Sequence, residues 1–224
     1  LLRWGAKTGL PILEAFGMTE GGPLTAPPLD GSHKCGTAGL PLPGIEVAIA
    51  ALDGSGKRLD PNENGEILIR GERVIEQYMG LPPCADDGWL PTGDIGCLTS
   101  DGFLTVVDRK KDMLIVAGFN VYPSEIEEVI SQVPEVTDVA VISVPDDRKG
   151  EVPFAFVAID QGAGITEKTL LNHCAEHLTN YKIPRAIVLL DELPKTPARK
   201  PDKKRLEKLA RDFLRKQGNK ITAK

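Results

Sequence analysis

The side chains best suited to chemistry are scattered along the chain. Thr19 and Glu20 follow Phe16-Gly17-Met18, so a hydroxyl and a carboxylate stand side by side after a glycine and an aromatic ring. The hydroxyl can donate to a phosphate oxygen, and the carboxylate is a hard oxygen donor of the kind Mg2+ prefers. Gly17 permits a tight turn next to a ligand. Asp94 follows Thr92-Gly93 and is read as a turn carboxylate able to accept hydrogen bonds from two neighbouring hydroxyls, as an acidic residue does from a ribose. Lys200 precedes the last helical pattern instead of lying within it. An ammonium carried on such a loop can stabilise charge that develops at a reacting centre more in the transition state than in the ground state. Plainer readings stand beside these: a surface acid for Glu20, a self-capping turn residue for Asp94, and for Arg109 an exposed ion pair with Asp108 or Asp112 worth little. His173 and His177 have the i, i+4 spacing of two zinc ligands. Cys174 stands where a glutamate would be expected, and no third ligand is evident, so metal binding there is disfavoured.

The longest run of informative residues is Asp108 to Glu128, Asp-Arg-Lys-Lys-Asp-Met-Leu-Ile-Val-Ala-Gly-Phe-Asn-Val-Tyr-Pro-Ser-Glu-Ile-Glu-Glu. It joins a charged cluster, a glycine turn and the start of a helix. This segment resembles the hinge of the adenylate-forming acyl-CoA synthetases. Phe16-Gly17-Met18-Thr19-Glu20, Trp89-Leu90-Pro91-Thr92-Gly93-Asp94 and Leu193-Pro194-Lys195-Thr196-Pro197 leading to Lys200 are similar to further motifs of that family, in its order. One such match is weak, but four in register are specific.

The resemblance implies ATP, Mg2+ and CoA as cofactors and a carboxylic acid as substrate, activated to an acyl-adenylate before CoA attacks. It implies nucleotide contacts at Phe16, Gly17, Thr19, Asp94 and Arg109, with Glu20 on the metal. Lys111 takes the hinge position, and a residue at an element end can absorb a change in φ and ψ without disturbing a core. Gly118 falls where the pantetheine arm of CoA would pass the backbone, and Lys200 becomes the catalytic lysine of adenylation, with Thr19 and Glu20 as its partners in the first half-reaction. The wording Gly118-Phe119-Asn120-Val121-Tyr122-Pro123 is closer to fatty acyl-CoA ligases than to peptide-synthetase adenylation domains. An aryl- or short-chain-acid ligase, an oxidative relative and a non-catalytic module that keeps the fold are the alternatives. The family usually has Gly before the lysine and an aliphatic residue after it, whereas this chain has Arg199 and Pro201. Arg199 is poorly suited to a positive φ. The loop is therefore expected either to take another route, with Pro201 opening the last helix, or to support weaker activity.

These residues need elements to position them. Strand-like runs at Glu46–Leu52, Glu66–Gly71 and Phe103–Asp108, separated by turns such as Asp53-Gly54-Ser55-Gly56, suggest a small β-barrel or folded sheet. Beyond it, Ile126, Val129, Ile130 and Val133 fall on one helical stripe, with Ser124 and Glu127 as a candidate capping box. Strands are expected over 136–144, 154–159 and 186–190. A second helix is expected from Thr166, burying Leu170, Leu171, Cys174 and Leu178. A last one from Pro201 should place Leu206, Leu209, Ala210, Phe213 and Leu214 on one face. The fold class is α+β, read as the end of a large adenylating domain, residues 1–108, followed by a mobile small domain, residues 109–224.

With 224 residues and 41% hydrophobic content the chain can build one or two cores. No apolar run approaches the length of a membrane span. Gly5-Ala6-Lys7-Thr8-Gly9 lacks the spacing of a phosphate loop and reads as a turn after a helix. The resemblance therefore calls for an upstream part that carries that loop, without which the 224 residues are not expected to catalyse adenylation. Four cysteines without a Cys-x-x-Cys pair point to a reducing, cytoplasmic setting, with peripheral membrane association left open. The segment from Lys195 onward carries a net charge of +9 and the preceding residues −14. With Phe213 as its one aromatic, that basic segment does not suit nucleic acid.

Overall fold

A computed structural model of the protein describes residue 4 and residues 7–85, 87–160, 162 and 164–216. The described chain is α+β and divides into two compact units, Leu1–Lys111 and Asp112–Lys224. Among the described residues no helix is long and apolar enough to cross a membrane. Gly5 and Ala6, part of the turn expected after a first helix, lie outside the described residues.

The first unit is built from antiparallel strands. β1 (Gly17–Met18) pairs with β2 (Gly22–Pro23), and β3 (Thr25–Ala26) with β4 (Leu40–Pro41). A four-stranded sheet follows in the order β5 (Ile45–Ala50), β6 (Gly65–Gly71), β7 (Leu90–Leu98), β8 (Leu104–Arg109). Its order is linear among the described residues, so the expected barrel is an open sheet. Ile45, Ile49, Ile67, Ile69, Leu90 and Leu104 form its core together with Leu24. Alternation along short strands generates this one-sided core. Trp89 is flanked by two guanidiniums, Arg58 at 4.7 Å and Arg70 at 4.6 Å from its ring, and Arg70 also makes two hydrogen bonds to Glu46.

The second unit mixes sheet and helix. The hairpin β9 (Leu114–Val116) and β10 (Phe119–Val121) turns at Ala117-Gly118, with φ of +50° and +87°. Two positive φ values match the twist of a two-residue hairpin turn. β11 (Val136–Asp146) pairs antiparallel with β12 (Gly150–Ile159), which also pairs in parallel with β13 (Ile187–Leu190). Every residue from Val152 to Ala158 is buried, because β12 is paired on both edges and covered on both faces. Three helices complete the unit: α1 (Pro123–Ser131), α2 (Glu167–His177) and α3 (Lys203–Lys216). Thr166 caps α2 by accepting the Thr169 N–H, as its position predicts.

Four local expectations are corrected. Helix α1 starts at Pro123 with Tyr122 as N-cap, so Ser124 lies inside the first turn, and the Glu127 carboxylate accepts the Val141 N–H at 2.8 Å. Pro123 is preset for a first helical position, which moves the start upstream of the supposed capping box. The last helix opens at Lys203 and not at Pro201: Pro201 bridges back to Lys195, and Asp202 caps the helix by accepting the Arg205 N–H. Leu209 is 43% exposed, so the apolar stripe of α3 is narrower than its sequence suggests and centres on Leu206, Ala210 and Leu214. Asp94 lies in strand β7 and not in a turn, opposite Arg109 of β8.

All four cysteines are free, Cys35 exposed and Cys174 buried in the second core. Burial pushes the Cys174 thiol up to about 11. Since the thiolate is the nucleophile, Cys35 is expected to alkylate readily at pH 8 while Cys174 reacts only after unfolding in denaturant. Mass spectrometry after brief iodoacetamide treatment checks this, and rapid native labelling of Cys174 would contradict it.

Candidate functional site

In the first unit the candidate site is an open pocket of about 590 Å3 lined by Phe16, Gly17, Met18, Thr19, Glu20, Thr92, Asp94, Val106, Asp108 and Arg109. Segments more than seventy residues apart in sequence meet there. Thr19 and Glu20 sit in the turn of the β1–β2 hairpin. Gly17 is not itself in a positive φ, and its small size is needed for another reason. A Cβ at Gly17 would lie 2.7 Å from the Gly22 carbonyl oxygen, so only glycine lets the two strands approach this closely.

Asp94 is buried at 6% exposure, and its Oδ1 lies 3.0 Å from Arg109 Nε, while the arginine remains largely exposed. The ion pair therefore joins the two residues picked out separately, and the Asp108 carboxylate accepts the Arg109 backbone N–H at 2.7 Å. Local backbone detail sets up the geometry. Gly93 has φ +73°, the Thr92 hydroxyl donates to the Ile67 carbonyl and accepts the Asp94 N–H, and the strand register slips between Ile95 and Gly96. The carboxylate is thus fixed at the pocket wall with the guanidinium beside it. Such a pair presents an acceptor for hydroxyls and a donor fork for phosphate oxygens.

Glu20 accepts the Tyr78 hydroxyl at 2.5 Å, and its backbone carbonyl accepts the Ile75 N–H. The neighbouring carboxylate raises the Tyr78 phenol above its ordinary value. Tyr78 is a site-adjacent residue that sequence reasoning missed, since nothing in the local pattern links residues 58 positions apart. Among the described residues no three His, Cys, Asp or Glu side chains cluster as a metal cage. A lone carboxylate still suits Mg2+, which keeps several waters and takes one or two carboxylates with substrate phosphates.

His173 and His177 are tied up otherwise. His173 Nε2 donates to the Val129 carbonyl at 3.0 Å, joining α2 to α1, and His177 Nδ1 donates to the His173 carbonyl at 2.8 Å.

In the second unit Lys200 is exposed at the tip of a tight loop. Thr196 grips the Lys200 carbonyl through its N–H at 2.8 Å and its hydroxyl at 3.2 Å, Arg199 N–H donates to the Thr196 carbonyl, and Asp202 N–H donates to Pro194. Arg199 adopts φ +59°. The loop therefore follows a path that glycine would take without strain, and the expected alternative route is not taken. A non-glycine residue held in this region costs on the order of 1 kcal/mol. Arg199→Gly is expected to stabilise the second unit by about 0.5–1 kcal/mol in urea denaturation and to leave adenylation unchanged or raised. Destabilisation would show that the Arg199 side chain contributes packing that offsets the strain.

Gly118 occupies the second position of the β9–β10 turn, where an added Cβ would meet nothing within 4 Å. Its backbone conformation, not crowding within the chain, accounts for glycine here. Lys111 lies in the turn 110–112 between β8 and β9, where the two units divide.

The chain is similar to known proteins over most of its length. The family model for AMP-binding enzymes matches residues 1–79, and that for the AMP-binding enzyme C-terminal domain matches residues 125–200. A long-chain-fatty-acid–CoA ligase of Yersinia pestis is 44% identical over 199 residues, covering 87% of this chain and 35% of that protein. A 2-succinylbenzoate–CoA ligase of Geobacillus kaustophilus is 39% identical over 215 residues, covering 93% and 43%. Among solved structures, ATP-bound MatB from Rhodopseudomonas palustris superposes with a TM-score of 0.87 at 35% identity, over 95% of this chain and 43% of that one. The chain thus spans between a third and a half of the length of these relatives. With both family models matched in order, and relatives that are CoA ligases similar over nearly its whole length, this chain belongs to the AMP-binding, adenylate-forming CoA ligase family.

Proposed function

We propose that the chain is the C-terminal part of an ATP-dependent acyl-CoA synthetase that converts a fatty acid to its acyl-adenylate and passes the acyl group to CoA. The carrying observation is the pocket in which buried Asp94, paired with the largely exposed Arg109, faces the Phe16–Glu20 segment. In this reading Asp94 accepts the ribose hydroxyls, Arg109 and Thr19 donate to nucleotide oxygens, and Phe16 lines the base. When bound, Mg2+ would be held by Glu20 and supply charge neutralisation of the phosphates. Lys200 donates to oxygens that gain charge as the carboxylate attacks the α-phosphate. Gly118 leaves the backbone open for the pantetheine arm. Residues 109–224 act as the small domain, and Lys111 as its hinge.

Fatty acids are favoured because the long-chain-fatty-acid ligases reach 44% identity. Succinylbenzoate ligases at 39% make an aromatic acid the competing substrate. The four free cysteines support a reducing, cytoplasmic setting.

In the full-length protein Asp94→Asn is expected to weaken ATP binding by about 1.5–3 kcal/mol, the scale of hydrogen bonds to a charged group. Isothermal titration measures this. Unchanged affinity in a folded variant would remove Asp94 from the nucleotide shell and the pocket from its proposed role. The 224 residues by themselves are expected to show no ATP–pyrophosphate exchange with a panel of fatty acids, because they supply only part of that shell.

A further inference from the structure

Helix α3 opens with Lys203, Lys204 and Arg205 and has no acidic residue in its first turn. Cations at a helix N-terminus oppose the macrodipole, so this is an unfavourable place for three of them. Lys203 is partly compensated: its Nζ lies 2.9 Å from Asp112 Oδ2, with the carboxylate side chain at 21% exposure. Asp112 is the first residue of the second unit and the neighbour of Lys111. On the other arm of the Lys200 loop, Lys195 Nζ lies 2.9 Å from Asp138 Oδ2 of β11. Between these anchors the two arms are held together by the Lys195–Pro201 bridge and the Asp202-to-Pro194 hydrogen bond. Among the described residues Lys200 has no ion-pair partner, while the lysines three places after it and five before it do.

We propose that Asp112 is a positioning residue for the adenylation half-reaction: through Lys203 it fixes the downstream arm of the Lys200 loop to the residue beside the hinge. This rests on the role of Lys200 proposed above and deepens it. A partly exposed ion pair contributes little to stability. Reactivity is far more sensitive, because displacement of a catalytic group by about 1 Å can cost about a hundredfold in rate. The pair links the orientation of the lysine to the segment that would turn when the small domain moves. It also keeps Lys203 from competing with Lys200 for the same anionic oxygens.

The test uses single-turnover kinetics on the full-length protein with Asp112→Asn and Lys203→Met, the second lying far in sequence from the hinge. Each is expected to lower the single-turnover rate constant of adenylate formation about tenfold, with little change in the ATP concentration that half-saturates it. Thioester formation from supplied acyl-adenylate and the denaturation midpoint are expected to stay near parental values. The reciprocal exchange, Asp112→Lys with Lys203→Asp, is expected to recover most of the lost rate. Adenylation within twofold of the parent in both single variants overturns the proposal. So does an equal fall in both half-reactions, or failure of the exchange to recover activity in a protein of unchanged stability. Lys200→Ala run alongside separates the two levels. If it is silent, the assigned role of Lys200 fails. If it is severe while Asp112→Asn and Lys203→Met are silent, the positioning role alone fails.

Discussion

Lys200→Ala in the full-length protein is expected to lower adenylate formation by about a hundredfold or more, the range seen when one preorganised electrostatic contact to a transition state is removed. The loop geometry concentrates that expectation on one residue. Lys195 and Lys203 are held by Asp138 and Asp112, whereas Lys200 is exposed at the tip of a loop whose backbone is pinned by Thr196. A fixed backbone with a free ammonium can follow charge as it develops, without reorganising its support. Thioester formation from supplied acyl-adenylate is expected to change much less, since no α-phosphate is attacked in that step. The measurement is a quenched single turnover with ATP and fatty acid, then a separate turnover with acyl-adenylate and CoA. Retained adenylation in Lys200→Ala, with loss in Lys195→Ala or Lys203→Ala, would show that the catalytic ammonium belongs to a different position.

Lys111→Pro is expected to abolish one half-reaction while sparing the other. Proline fixes φ near −65° and disfavours helical geometry in the residue before it. Lys111 lies in the turn 110–112, after β8 ends at Arg109 and before β9 begins at Leu114, so neither sheet loses a ladder hydrogen bond through its replacement. The cost to folding is therefore expected to be small beside the effect on any motion that needs this residue to change conformation. The same two single-turnover assays distinguish the outcomes. An equal fall in both would mean that Lys111 is not the pivot. A circular dichroism melt close to that of the parent is the control that the substitution has not unfolded either unit.

Much of this was legible in the sequence, for physical reasons that differ between elements. Strand β12 reads directly because a strand buried on both faces must be a continuous apolar run, and Val152 to Ala158 is one. Thr166 announces α2 because a side-chain cap is a local interaction. Each candidate site residue is visible in its own local motif, but the pairing between them is not. Asp94 reads as a turn residue because Thr92-Gly93 precedes it, and only the register of β7 on β8 brings Arg109 opposite. Tyr78 on Glu20 leaves no trace in sequence, since hydrogen bonds between distant loops have no period. The start of α3 is ambiguous in the sequence because Pro201 and Asp202 are both good helix-opening residues. Tertiary pairing of Pro201 with Lys195 decided between them. Arg199 shows the reverse case: a residue that disfavours a conformation is still held in it by four surrounding hydrogen bonds.

The chain has two tryptophans, Trp4 and Trp89, and both belong to the first unit, whereas the second unit contains Tyr122 and Tyr181 but no tryptophan. Emission excited at 295 nm is therefore blind to the unit that carries Lys200. Trp89, with two guanidiniums over its ring, reports on the start of β7, the strand that carries Asp94. A single tryptophan introduced on the solvent face of α3, for instance at Leu209, would give the second unit its own optical channel. Unfolding of the two units could then be followed separately in one sample.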